Sequence, residues 1–128
     1  MTYSTCSLNP IENESVVAAA LKEFKGKIRL LSAELPGFRH QPGLKTWRML
    51  QFDSKNPGLQ QNGSHFVEYL SYGDVPEHYQ TIIKETMFVG HYSQEILDEL
   101  PKCVRVMPHH QNTSGFFITV IEKIAECD

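Results

Sequence analysis

The chain has 128 residues and a net charge of −3; 41% of its residues are hydrophobic, 21% charged and 10% aromatic. That is one domain's worth of chain, able to bury about two thirds of the surface its unfolded form exposes. No apolar run approaches the roughly 18 residues of a membrane-crossing helix. The first residues lack the charged-then-apolar layout of a secretory signal. Cys6, Cys103 and Cys127 are too sparse for a disulfide scaffold and point to a reducing compartment. Membrane, secreted-knot and fibrous classes are therefore not expected.

Charge is unevenly placed. Residues 22–48 hold seven cations, Lys22, Lys25, Lys27, Arg29, Arg39, Lys45 and Arg48, against Glu23 and Glu34, a local balance of +5. The remaining residues carry −8. Such a stretch could face phosphate, or it could be an ordinary solvated segment.

Residues 1–4 read as the last part of a strand. Asn9 suits a helix N-cap, Pro10 the first helical position, and Glu12 the third, from which it can reach back to the cap. The pattern predicts a helix with Val17, Leu21 and Phe24 on one face and a stop at Gly26. Residues 28–31 read as a strand, followed by loop punctuation at Leu35-Pro36-Gly37 and Gln41-Pro42-Gly43. Residues 47–52 and 65–70 read as a long-looped hairpin. Mostly loop is expected over 73–90, with a helical turn near Tyr79. A short helix follows from Ser93, stopped by Pro101. Residues 103–107 and 116–121 form a terminal strand pair; the second is apolar on both faces, as in a covered sheet.

These pieces do not complete an α/β domain, whose covered sheet needs several strands with crossover helices. The expectation is a C-terminal portion of a larger domain, with apolar faces that leave the isolated chain poorly soluble.

Cys6 is the first candidate for chemistry. In Ser4-Thr5-Cys6-Ser7 it follows a strand end and precedes the predicted helix, where backbone N–H groups and the helix dipole favour a thiolate. A nucleophile is one reading; a small residue at a strand-to-helix turn is the other.

The run from Tyr3 through Cys6 and Asn9-Pro10 to Glu14 resembles the nucleophile motif of the Sun/Nop-type RNA cytosine-C5 methyltransferases. Arg105-Val106-Met107-Pro108-His109-His110-Gln111-Asn112-Thr113-Ser114-Gly115-Phe116-Phe117 resembles that family's closing hairpin. Leu35-Pro36-Gly37, Pro42-Gly43, Trp47 and Thr86-Met87-Phe88 fall in the order of its eukaryotic tRNA-modifying branch, residues 53–85 matching least. Ser114 stands where the family has a second glycine, and Val89-Gly90 replaces its Pro-Pro.

The resemblance implies an α/β fold: residues 1–128 as the C-terminal portion of a Rossmann-like S-adenosylmethionine-dependent methyltransferase domain, ending in an antiparallel strand pair. It implies Cys6 as the nucleophile that adds to C6 of a flipped-out cytosine. S-adenosyl-L-methionine is the implied methyl donor, tRNA the implied substrate, and the nucleus, nucleolus included, the implied location, with the cytoplasm second. The family's Pro-Cys-Ser-Gly release motif is absent, since Cys103 follows Lys102 and Cys127 follows Glu126. So is a Gly-rich cofactor turn; no two glycines lie even two residues apart. The chain as given is therefore expected to be inactive alone.

His109, His110, Gln111 and Asn112 are candidates for contact with an unpaired base, or for satisfying their own loop's backbone. No paired Cys or His spacing suggests a metal. His40, His65, His78 and His91 are expected at the surface or in loops, and Trp47 in the core. A non-catalytic RNA-binding remnant of the family, and a thiol hydrolase pairing Cys6 with His109 or His110, are the rival readings.

Overall fold

The computed structural model describes residues 1–52 and 66–126. Its elements are β1 (Thr2–Thr5), α1 (Glu14–Glu23), β2 (Ile28–Leu31), β3 (Gln41–Pro42), β4 (Met49–Phe52), β5 (Phe66–Tyr69), α2 (Gln94–Glu99), β6 (Val104–Val106), α3 (Pro108–Gln111) and β7 (Phe116–Lys123). Short 3₁₀ turns occupy Tyr72–Asp74, Glu77–Tyr79, Glu85–Met87 and Val89–His91, where the sequence shows mostly loop. The expected loop of the β4–β5 hairpin, His65 and Cys127 lie outside the described residues.

Strand β7 organises the larger sheet. Val120 pairs with both Thr2 and Leu31, and Ile118 with both Ser4 and Val104. A residue has two edges, so β1 lies along one side of β7 while β6 and β2 follow one another along the other. β3 adds outside β6. Every pairing among the described residues is antiparallel, the expected terminal pair β6–β7 included. The fold is thus mixed α/β with antiparallel sheets, consistent with the C-terminal part of a methyltransferase domain.

On one face of β7, Phe117, Thr119 and Ile121 are buried beneath α1. Val17, Ala18 and Leu21 meet them at helical spacing, each large side chain contributing about 2 kcal/mol by leaving water. The other face is only partly covered: Ile118 and Val120 are half-buried and Phe116 is exposed. This corrects the expectation of a strand buried on both faces; the pattern alternates with a period of two. Phe24, expected on the core face of α1, is exposed because the helix ends at Glu23 and the chain turns away through Gly26, whose φ is +75°. A second core gathers Met49, Tyr69, Val75, Ile83 and Phe88, and Ile11 touches both.

A buried ion pair ties the first helix to the larger sheet. Glu14, the first residue of α1, is wholly buried; its Oε1 accepts from Arg105 Nε at 2.6 Å and Leu44 N at 2.9 Å, and its Oε2 from Arg105 Nη2 at 2.6 Å. Arg105 Nη1 donates to the Leu8 carbonyl at 3.0 Å. One carboxylate and one guanidinium therefore join α1, β6, the segment after β3 and the loop after β1. Just before Leu44, Gly43 N donates to Cys103 O at 2.9 Å, and a Cβ on Gly43 would stand 2.3 Å from Leu100 O. Only glycine fits there.

Cys103 is buried in this region, its thiol donating to Thr119 Oγ1 at 3.3 Å. Burial pushes it up from its ordinary 9.0 to about 11.

Glu14→Ala leaves a buried guanidinium unpaired and should destabilise the fold by about 3–5 kcal/mol, read as a lower urea midpoint. Replacing both partners, Glu14→Met with Arg105→Leu, should recover only part of this, because the Leu8 carbonyl and Leu44 N–H stay unmatched. Gly43→Ala should cost about 1–3 kcal/mol by forcing β3 off Leu100. The unfolded chain loses the Cys103 proton first, so stability should fall as pH rises from about 9 through about 11, and Cys103→Ala should flatten that limb of the urea–pH profile.

Candidate active-site loop and closing hairpin

Cys6 follows directly on β1, whose last residue, Thr5, pairs with Phe117. The loop that carries it is tied from every side. Asn13, fully buried, accepts from Thr5 Oγ1 at 2.5 Å and donates through Nδ2 to Ser7 O at 2.9 Å. Ser7 N donates to Thr5 Oγ1 at 3.2 Å, Asn9 N to Ser7 Oγ at 3.0 Å, and the Ser7 hydroxyl to the Glu12 carboxylate. Tyr3 OH reaches Glu12 O at 2.7 Å. Within this frame the Cys6 thiol is exposed and makes no hydrogen bond among the described residues.

The helix does not begin where the sequence suggests. Asn9 Oδ1 accepts from Ile11 N at 3.1 Å, an Asx turn, and Glu12 faces Ser7 rather than the Asn9 N–H. Residues 10–13 are a turn and α1 starts at Glu14. The nearby N–H groups of Ser7, Asn9 and Ile11 already meet side-chain oxygens.

The β6–β7 connection lies against this loop. A Cβ on Gly115 would stand 3.1–3.3 Å from the Leu8 side chain, so Leu8 packs directly on that glycine. Asn112 takes the left-handed conformation, φ 54°, and closes α3. The Gln111 amide brackets Arg39, its Oε1 accepting from Arg39 N at 3.0 Å and its Nε2 donating to Arg39 O at 3.2 Å. His109 is exposed and His110 half-buried, their rings edge to face at 4.4 Å. His110 Nδ1 and Thr113 Oγ1 are buried without a partner among the described residues. The structure thus brings the Cys6 loop and the closing hairpin together. It engages Gln111 in holding backbone, and forms no hydrogen bond between Cys6 and either histidine among the described residues, so the Cys–His pair of a thiol hydrolase is not made.

The Thr86-Met87-Phe88 segment buttresses the far side of α1. Ser15 Oγ and Tyr92 OH both donate to Thr86 O, at 2.7 and 2.5 Å, and Trp47 Nε1 donates to Met87 O at 2.9 Å. Burial raises the Tyr92 hydroxyl above its ordinary range, keeping it a donor. Trp47 is core, as expected. His91, on the turn Val89–His91, is mostly covered between Lys22, whose Nζ lies 2.8 Å from its Nε2, and Glu85.

The basic stretch does not form one cationic face. Lys25 meets Glu95 at 3.4 Å, Arg29 meets Glu122 at 2.5 Å, Lys45 meets Asp98 at 2.7 Å, and Arg48 pairs with Glu68. Hydrogen bonds from Arg48 and Lys45 hold Glu68 and Asp98 below the usual carboxylate range. Sequence reading missed Asn13, Arg105 and Arg39 as organisers. The one signal was a charge inside the apolar run 103–107.

Among the described residues no group of three or more His, Cys, Asp or Glu could hold a metal, and no helix is long and apolar enough to cross a membrane. Nor do the residues fit S-adenosylmethionine: no glycine-rich turn follows a strand, and the tight glycines, Gly43 and Gly115, are filled by Leu100 and Leu8.

No family model matches the chain. Among curated proteins it is 38% identical over 125 residues to the tRNA (cytosine(34)-C(5))-methyltransferase of Drosophila melanogaster, covering 96% of this chain and 15% of that protein. It is 35% identical over 128 residues to the multisite-specific tRNA:(cytosine-C(5))-methyltransferase of Saccharomyces cerevisiae, covering 98% and 16%. A Schizosaccharomyces pombe protein of the same description is 37% identical over 127 residues, covering 96% and 16%. The chain spans 15–16% of the length of these relatives. Along almost all of its own length the chain is thus related in sequence to the tRNA (cytosine-C5)-methyltransferases.

Proposed function

We propose that this chain is part of an RNA cytosine-C5 methyltransferase acting on tRNA, with Cys6 as its nucleophile. One observation carries the reading: the two family-like motifs, about a hundred residues apart, meet at the Thr5–Phe117 pair and the Leu8–Gly115 contact, with the Cys6 thiol open to solvent beside them. Exposure suits a group that must reach a base extruded from RNA. The tethered loop suits one that must be held in place.

In this reading the Cys6 sulfur, as thiolate, bonds to C6 of the cytosine. The C5–C6 double bond opens and its electron pair moves to C5, which becomes the carbon nucleophile. S-adenosylmethionine supplies the methyl group that C5 takes. Loss of the C5 proton then restores the double bond and expels the thiolate. The residues that hold the methyl donor, and the cysteine that assists release, are assigned outside this chain, which would be the C-terminal part of one catalytic domain. The buried Cys103 takes no part, since burial keeps its thiol protonated at neutral pH. By the same resemblance the protein acts in the nucleus.

The test is covalent trapping in the enzyme that carries this chain, with S-adenosylmethionine and a tRNA bearing 5-fluorocytidine, whose fluorine cannot leave as the C5 proton does. The expected result is a protein–RNA adduct stable on a denaturing gel, reduced to background by Cys6→Ala and unchanged by Cys103→Ala. An adduct that survives Cys6→Ala overturns the assignment. RNA binding without any adduct in the unaltered enzyme would favour the non-catalytic remnant.

A further inference from the structure

Arg39 stands apart from the other cations of the 22–48 stretch. Lys25, Arg29, Lys45 and Arg48 each face a carboxylate, and Lys22 is bonded to His91. The exposed Arg39 side chain makes no ion pair or hydrogen bond among the described residues, yet its backbone is gripped on both sides by Gln111. The structure therefore fixes the position of this residue while leaving its guanidinium available. Exposed His40 and His109 lie on the two segments that the Gln111 clamp joins.

Beside the clamp is a cavity of about 310 Å³, lined by Leu35, Phe38, Val106, Phe116 and Ile118, with Thr113 and Ser114 as its polar lining. Phe38 is 53% and Phe116 41% exposed, so two aromatic rings of this cup are open to a ligand. The volume lies at the small end for ligand sites and suits a single planar group.

We propose that this cup receives an unpaired RNA base by stacking, with the Arg39 guanidinium on the adjoining phosphate. The inference rests on the RNA-binding part of the reading above and names a contact that the reading leaves open. The base is a neighbour of the target cytosine, not the target itself. Cys6 is not among the lining residues, and no amide or carboxylate lines the cup to read a Watson–Crick edge. Stacking on aromatic rings is sequence-tolerant, and charge complementarity between a free guanidinium and the RNA backbone selects a nucleic acid over an apolar peptide.

The probe is a five-nucleotide single-stranded RNA, titrated by fluorescence anisotropy against the enzyme that carries this chain, with a 4-thiouridine copy for photo-crosslinking. Phe38→Ala should weaken binding about ten-fold, equally for oligo-U and oligo-C. Arg39→Ala should reduce the salt dependence by roughly 0.7 of a counterion, and Arg39→Lys should restore it. Crosslinks should map to residues 35–40 or 113–118. Both side chains are exposed, so the variants should keep the parent urea midpoint. The proposal is overturned if the RNA is not bound, if both variants match the parent in affinity and salt slope, or if the 4-thiouridine crosslinks all map outside residues 35–40 and 113–118. A Cys6 adduct with unaffected Arg39 and Phe38 variants removes the cup and leaves the catalytic reading. Cup crosslinks without a Cys6 adduct do the reverse.

Discussion

The Glu14–Arg105 pair is the constraint on which the other contacts depend. Residues 91 positions apart meet with almost no exposure to water, through two parallel N–H to oxygen bonds. Burying two charges is costly, and such a pair contributes less to net stability than to the choice of one arrangement over others. Here it also answers two backbone groups that would otherwise be orphaned, Leu44 N and Leu8 O. The carboxylate sits at the first residue of α1, where the helix dipole favours negative charge. Helix, sheet and Cys6 loop are thereby set relative to one another by a single polar contact, and the apolar packing fills in around it.

Around that contact the chain divides its polar groups by task. Those near Cys6, namely Thr5, Ser7, Asn9, Glu12 and Asn13, bond to each other and to backbone. Those of the hairpin hold a distant loop through Gln111. Among the groups that face outward are the thiol, the His109 ring and the Arg39 side chain. Rigid support behind a few free groups is what a recognition surface for a mobile single strand requires.

Elements with local determinants were legible in the sequence. Residues 28–31 form β2 with the bounds expected, Ser93 caps α2 by accepting from Ile96 N, and Gly26 takes the positive φ that ends the first helix. The start of α1 was not, because the Asn9-Pro10 signal is local whereas the winning bonds from Asn13 to Thr5 and Ser7 are made across a folded loop. The ion pair was illegible for the same reason: Arg105 stands out as a charge in an apolar run, but nothing in its segment names Glu14 as the partner. The cation-rich stretch reads as one block in the sequence, whereas in the fold Lys25, Arg29, Lys45 and Arg48 each meet a separate carboxylate. Of the candidate site, the two motifs were legible by resemblance, and their meeting at the Thr5–Phe117 pair came from the fold. The clamp on Arg39 came only from the fold.

β7 has a consequence for how the molecule is made. β1, β2 and β6 each pair with it, and all three precede it in the chain. Until Phe116–Lys123 has been synthesised they have no common neighbour, and β1 waits for its partner on the order of ten seconds at ribosomal rates. In that interval the segment bearing Cys6 is an unpaired strand end with its thiol uncovered. The sheet can form only by long-range closure, the slow kind of folding step. A nascent chain stalled before β7 would therefore present chaperones and oxidants with the region that the finished fold holds most firmly.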